Sequence, residues 1–179
     1  MNYRGDIKKV RALVLDVDGV LTDGRIGYGC GSDDEIKFFD VKDGAAMSII
    51  RDLLGYKIII ISGRKSKANQ RRARELNVTL LVEDTLKKAV ALRQACEQLG
   101  LTPEECLYIG DDFVDIPAME LACVTASPGD AEPIVRERAH WQLEHNGGRG
   151  AIREAVLRLL REQGIWESTL EKGLRERWN

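Results

Sequence analysis

Short, almost unbroken apolar runs recur along this chain, and they close on polar or acidic groups. The first holds Val10, Ala12, Leu13, Val14, Leu15 and Val17 and leads into Asp16, Asp18 and Gly19. The second, Lys57 to Ile61, reads KIIII and closes on Ser62, Gly63 and Arg64. Runs that are apolar at nearly every position, rather than every second one, predict strands buried on both faces. Stretches with apolar residues three and four apart lie between them and predict helices. Strands alternating with helices predict an α/β, Rossmann-like fold, a parallel sheet with helices on both faces. In open sheets of this kind ligands bind beyond the carboxyl ends of the strands. The polar closures of the runs are therefore where chemistry is expected.

Taken in order, Asp23 to Asp40 predicts a β-hairpin, with arms at Arg25–Gly29 and Glu35–Phe39 around a Gly/Ser/Asp turn. It is too small to be a second domain. Gly44 to Leu54 predicts a helix with Asp43 as N-cap and Gly55 at its end. The strand Lys57–Ile61 precedes a helix at Ser66–Leu76, dense in Lys and Arg, and a strand at Thr79–Val82. A long amphipathic helix spans Thr85–Leu99, closed by Gly100, and Thr102 to Glu105 has the form of a capping box around Pro103. The strand Cys106–Ile109 runs into Gly110, Asp111 and Asp112. A helix at Asp115–Leu121, a strand at Ala122–Thr125, a helix at Ala131–Arg138 and an edge strand at Trp141–Leu143 follow. Asn146 to Gly150 breaks the pattern before a helix at Ala151–Glu162, which Gly164 ends. Beyond it Trp166, Leu170, Leu174 and Trp178 form an i, i+4 stripe. Such a stripe needs a partner, either this chain's own surface or a neighbouring subunit. With no repeat and no linker, the 179 residues read as one domain, with a flap at 23–40 and a C-terminal tail at 164–179.

Charge narrows the function classes. Lys and Arg number 27 and Asp and Glu 29, so the net charge of −2 offers no argument for nucleic acid or a membrane surface as partner. No apolar run approaches the roughly 18 residues of a membrane span, and the opening MNYRGDIKKV lacks the apolar core of a signal peptide. A cytoplasmic protein is expected. The four cysteines, Cys30, Cys96, Cys106 and Cys123, are far apart and read as buried, inert thiols. His140 and His145 have no cysteine near them to make a zinc site.

Four strand ends thus offer polar groups in order: Asp16 with Asp18, Ser62, Lys88 after the third strand, and Asp111 with Asp112. Each is common alone; together, on one edge of a parallel sheet, they suit phosphoryl transfer. Neighbouring carboxylates repel unless a cation keeps them ionised, and oxygen ligands with water completing the shell suit Mg2+. One carboxylate can attack phosphorus, a second can protonate the leaving oxygen and later activate water, and a hydroxyl and a Lys can hold the equatorial oxygens.

The motifs DVDGVLTD, SGR and GDDxxD, with a Lys on the intervening helix, resemble the haloacid-dehalogenase-like phosphatase superfamily. DVDGVLTDG, the hairpin in place of a cap domain, SGRKSK, YIGDDFVDIPAM and GGRGAIRE resemble more closely its capless branch, the 3-deoxy-D-manno-octulosonate 8-phosphate (KDO 8-phosphate) phosphatases, from about Val10 to Leu160. The resemblance implies Asp16 as nucleophile and metal ligand. It implies Asp18 as general acid/base, lending its carbonyl to Mg2+, and Asp111 as the third protein ligand. Asp112 and Asp115 would support that site, and Ser62 would bond the transferring phosphoryl group. Lys88 rather than Lys87 matches the family lysine, although the Gly expected four residues before it is Asp84 here. Gly19, Gly63, Arg64, Arg72 and Arg149 would border the substrate, a small phosphorylated sugar acid whose carboxylate suits Arg forks. Arg71 and Arg74 read as a solvated face.

The family pattern also implies a homotetramer built around the hairpin, with active sites between subunits and the C-terminal segment closing over a neighbour's site. Gly147, Gly148 and Gly150 would let that segment bend close to ligand; taken without the resemblance, they read as a flexible loop before a helix. Three other readings stand beside this one. A nine-carbon keto-sugar-acid phosphate, or a broad set of small phosphates, could replace the eight-carbon ester, though Arg64, where the nine-carbon enzymes carry an acidic residue, leans to the latter. A non-catalytic oligomerisation module of the same fold tends to lose the acidic pair, which this chain retains. A receiver domain would place its acidic pair after the first strand and its phosphoacceptor on a later one, a layout that does not fit.

Overall fold

The apolar run at the start becomes β1, Ala12–Leu15, the strand every other element is arranged around. The structure, a computed structural model, describes residues 3–29 and 35–178. After β1 come β2 (Gly27–Tyr28), β3 (Glu35–Ile36), α1 (Val41–Leu54), β4 (Lys57–Ile61), α2 (Lys67–Glu75), β5 (Leu80–Val82) and α3 (Lys88–Leu99). Then follow β6 (Cys106–Ile109), α4 (Ile116–Met119), β7 (Val124–Ser127), α5 (Pro133–Arg138), β8 (Trp141–Gln142), α6 (Ala151–Glu162) and α7 (Trp166–Glu176).

Six strands form one parallel sheet in the order β5-β4-β1-β6-β7-β8. β1 pairs on both sides, Leu15 lying level with Ile60 of β4 and Ile109 of β6. This register brings the ends of β1, β4 and β6 to one edge. Successive side chains of a strand face opposite ways, so the sheet has two cores. Leu13, Leu15, Ile58, Ile60, Leu107 and Ile109 pack with Met47 of α1 and Leu159 of α6. Ala12, Val14, Ile59, Ile61 and Tyr108 pack with Leu92 of α3 and Met119 of α4. Burial on both faces is why these strands carry no alternation. β2 and β3 form a separate antiparallel pair, the described part of the predicted hairpin. Its turn, with Cys30, lies outside the described residues, and Cys96, Cys106 and Cys123 are buried.

Several predicted boundaries move. α1 begins at Val41, three residues before the expected Gly44, because Asp40 and not Asp43 caps it by accepting from the amides of Lys42 and Asp43. α3 begins at Lys88 rather than Thr85, after a loop in which Asp84 has φ +60°. β7 runs over Val124–Ser127 rather than Ala122–Thr125; the stretch is evenly apolar, so periodicity could not fix its start. α5 begins at Pro133, a residue preorganised for the first helical position. α7 lies against α1 and α6 of its own chain. Thr169 and Gly173 are buried there, Trp166 packs partly against the core, and Leu174 is 52% and Trp178 43% exposed. The predicted stripe is therefore shared between this chain's surface and solvent. Among the described residues no helix is long and apolar enough to cross a membrane.

Candidate active site

Asp16 follows β1 directly, its amide donating to the Ile109 carbonyl at 3.2 Å, so its side chain leaves the sheet at the carboxyl edge. Lys88, in the first turn of α3, is buried and donates to Asp16 Oδ2 at 2.9 Å and to Asp115 Oδ1 at 2.8 Å. Lys87 is exposed. The left-handed conformation at Asp84 supplies what a Gly would there, and Asp is among the few residues that tolerate it. Asp115 is wholly buried: Tyr108 Oη donates to Oδ1 at 2.8 Å, and the amides of Asp111 and Asp112 donate to Oδ2 at 3.1 and 3.3 Å. Asp115 thus fixes the Gly110–Asp112 turn and Lys88 together. Asp112 is exposed, and its carboxylate caps the following turn through the Phe113 amide at 2.6 Å.

Glycines allow the loops to converge. Gly19 has φ +94°, and a Cβ there would stand 2.0 Å from Asp111 Oδ2. A Cβ on Gly147 would stand 1.9 Å from the Gly19 carbonyl oxygen, and Gly148 donates its amide to the Val20 carbonyl at 2.9 Å. The 147–150 segment is therefore packed against the loop that follows Asp18. Arg149, largely exposed, reaches Asp23 Oδ2 at 3.4 Å.

The remaining predicted residues lie around this centre. Ser62 is buried at the end of β4, where its Oγ accepts from the Arg64 amide at 3.2 Å. Gly63 leaves space for Leu86, whose Cδ2 would be 3.0 Å from an added Cβ. Arg64 reaches the hairpin, pairing with Glu35 at 2.6 Å. Arg72 lies under the Phe39 ring at 5.4 Å and donates to the Asp40 carbonyl at 3.4 Å. With Glu35, Phe39, Lys67 and Arg71 it lines a cavity of about 520 Å³ between hairpin and α2. Asp18 turns from the cluster toward the hairpin, where Lys37 donates to it at 2.6 Å. Lys37 was not expected from the sequence. The only available signal for Lys37 was opposite charge on one strand face, Glu35 and Lys37 being two apart.

Carboxylate oxygens of Asp16, Asp111 and Asp115 lie within 4.8 Å of one another. Burial and the Asp115 charge, opposed by Lys88, push the Asp16 carboxyl up to about 6. Burial, then Asp16 and Asp115, push Asp111 up to about 8. For Lys88, burial alone would lower the pKa, but the Asp115 and Asp16 carboxylates outweigh it and raise it. Asp111 Oδ1 is buried with no hydrogen-bond partner among the described residues. Crowded oxygen donors, too few positive charges and an orphaned carboxylate oxygen fit a hard divalent cation.

The family described as haloacid dehalogenase-like hydrolase matches residues 31–122. Over 159 residues the chain is 38% identical to the 3-deoxy-D-manno-octulosonate 8-phosphate phosphatase KdsC of Escherichia coli K12, a match covering 88% of this chain and 82% of that protein. The fold is similar to the crystal structure of the 3-deoxy-D-manno-octulosonate 8-phosphate phosphatase of Yersinia pestis, 35% identical, with a TM-score of 0.84 over 90% of this chain and 86% of that one. The Moraxella catarrhalis phosphatase of the same name, in complex with magnesium, phosphate and KDO, is 31% identical with a TM-score of 0.87, covering 93% of this chain and 94% of that one.

Proposed function

This chain belongs to the 3-deoxy-D-manno-octulosonate 8-phosphate phosphatases of the haloacid dehalogenase-like hydrolases, and from that premise we propose that it releases phosphate from KDO 8-phosphate by way of a phosphorylated Asp16. The observation that carries the reading is the convergence of Asp16, Lys88, Asp111 and Asp115 at the carboxyl end of β1.

Asp16 attacks phosphorus as its carboxylate. The ester P–O bond breaks while Asp18 gives its proton to the leaving sugar oxygen. Water then attacks the acyl phosphate, Asp18 takes its proton, and the Asp16 carboxylate returns. The Asp16 and Asp111 carboxylates and the Asp18 carbonyl would hold Mg2+, which when bound neutralises charge on the phosphoryl oxygens. Ser62 donates to one of those oxygens, and Lys88 keeps Asp16 ionised and supplies positive charge beside them. Asp115 fixes Lys88 and the Asp111 turn, and Asp112 caps the turn between them. Arg64, Arg72 and Arg149, with the backbone at Gly19 and Gly63, border the sugar acid. The assembly proposed is a homotetramer with the hairpins at its centre, and the location the cytoplasm; both follow the family resemblance. The whole chain is read as a single catalytic unit.

Side-by-side turnover of eight- and nine-carbon sugar-acid phosphates, with Mg2+ and with chelator, tests this. Preference for the eight-carbon ester and loss of turnover with chelator are expected; preference for the nine-carbon ester would overturn the substrate. Asp16→Asn is expected to lower turnover by at least 10⁴-fold, the scale on which loss of a nucleophile is felt, with unchanged circular dichroism. Appreciable activity in that variant would overturn the nucleophile.

A further inference from the structure

The geometry points to Lys37 as the positioning residue for Asp18, fastening the hairpin to the proton-transferring carboxylate. This rests on the role proposed for Asp18. Lys37 sits just past β3, on a hairpin whose neighbouring side chains face outward: Ile36 is 47% and Phe38 70% exposed. The Lys37 side chain is 0% exposed. Burying an ammonium is costly unless it is paired. Its pair is Asp18 Oδ1 at 2.6 Å, with Glu35 Oε2 at 3.9 Å on the other side. Glu35 Oε1 in turn holds Arg64 at 2.6 Å, two residues past Ser62.

Four charges, Asp18, Lys37, Glu35 and Arg64, therefore run from the end of β1 through the hairpin to the end of β4. The two carboxylates of Asp16-Val17-Asp18 have separate lysines, Lys88 from α3 and Lys37 from the hairpin. Like charges this close in sequence would otherwise compete for one cation or swing apart. The Asp18 side chain keeps 21% exposure, so the pair leaves it open to a ligand. Lys37 thus holds Asp18 at the rim of the site through Oδ1, leaving Oδ2 to carry the proton that Asp18 gives to the leaving oxygen and takes from water, and the hairpin's seating sets that position.

A fastener that only stabilises the fold and one that positions an acid differ in leaving-group dependence. An alkyl phosphate needs its leaving oxygen protonated, whereas p-nitrophenyl phosphate expels a stable phenolate. For Lys37→Met we expect kcat/KM on KDO 8-phosphate to fall by about 10- to 100-fold, part of the 10²–10⁴ typical of general acid catalysis. On p-nitrophenyl phosphate it should change by less than about 3-fold. Lys37→Arg, which retains charge and donors, should recover most of the alkyl activity. Equal losses on the two esters, or none on either, overturn the inference. If Lys37→Met does not fold, Lys37→Gln carries the same two expectations. The unaltered chain is the control that separates the two readings: turnover of neither ester by it would remove the phosphatase reading itself, whereas an unmoved ester ratio in the variant removes only the role of Lys37.

Discussion

Asp111 shows how the fold alone sets a carboxyl against its charged form. Its carboxyl is pushed up to about 8 and that of Asp16 to about 6, against an ordinary carboxylate near 4. A folded-state pKa raised above the unfolded one gives stability that is present below the unfolded value and lost as pH rises through the folded value. Without a divalent cation, the chain is expected to be most stable near pH 4 on this account and to lose stability through pH 6 and 8. Cation binding needs both groups ionised and must displace their protons. Mg2+ affinity should therefore fall about tenfold per pH unit from 8 to 6, and more steeply below 6. Calorimetric titration across that range checks this; a flat affinity contradicts it. Gly19 belongs to the same balance. Gly19→Ala would force a methyl to within 2.0 Å of Asp111 Oδ2 at φ +94°. It is expected to cost about 1–3 kcal/mol of stability and at least tenfold in Mg2+ affinity, read by urea unfolding and by the same titration.

At the scale of elements, much is settled by contacts between segments far apart in the chain. Asp43 looked like the cap of its own helix, and in sequence nothing separates it from Asp40. In the fold Asp40 caps α1, and Asp43 is buried one turn in, accepting from Gly150 N at 3.2 Å and Arg153 N at 2.8 Å. It caps α6, whose own N-cap, Gly150, has no side chain to do so. Asp43→Ala leaves two amides without their acceptor and is expected to cost about 2 kcal/mol, within the usual 1–3 for a buried unsatisfied group. Asp43→Asn keeps an acceptor oxygen and should cost less. Urea midpoints of the two variants against the native chain decide it, and an Asp43→Ala midpoint equal to the native one would mean that the Asp43 contacts carry no stability. Lys37 is not legible for the same reason: its partner, Asp18, lies 19 residues away across a hairpin. The strands, by contrast, were legible because burial on both faces writes itself into every residue of the run. The place of Lys88 beside Asp16 was legible from spacing to a motif, and the conformation of Asp84 accounts for its one irregularity. Asp115 was legible as a support of the site but its partners were not, because Tyr108 and two backbone amides are brought to it only by folding.

For the whole molecule, the same division decides what stands open. One sheet edge gathers the acidic cluster, while the groups proposed to select the sugar lie on the hairpin side and near residue 149. The hairpin exposes Tyr28 at 76% and Phe38 at 70%, and Val41 at its base is 80% exposed. Large apolar side chains gathered on one projecting element mark an interaction surface more often than a free one, and closed point-group symmetry lets one such patch serve every copy. The proposed tetramer would cover it with the hairpins of its other copies. Light scattering coupled to size exclusion is expected to give four times the mass of the chain. Tyr28→Ser combined with Phe38→Ser, which removes apolar area and adds no charge beside Lys37 or Glu35, should shift that mass toward the monomer. If selection of the sugar acid depends on the assembly, the double variant raises KM for KDO 8-phosphate by about tenfold or more and leaves p-nitrophenyl phosphate turnover within about 3-fold, a selective loss of binding rather than of chemistry. A tetramer unmoved by the two substitutions would take the hairpin out of the interface, and a monomeric native chain would require that one subunit alone complete the site.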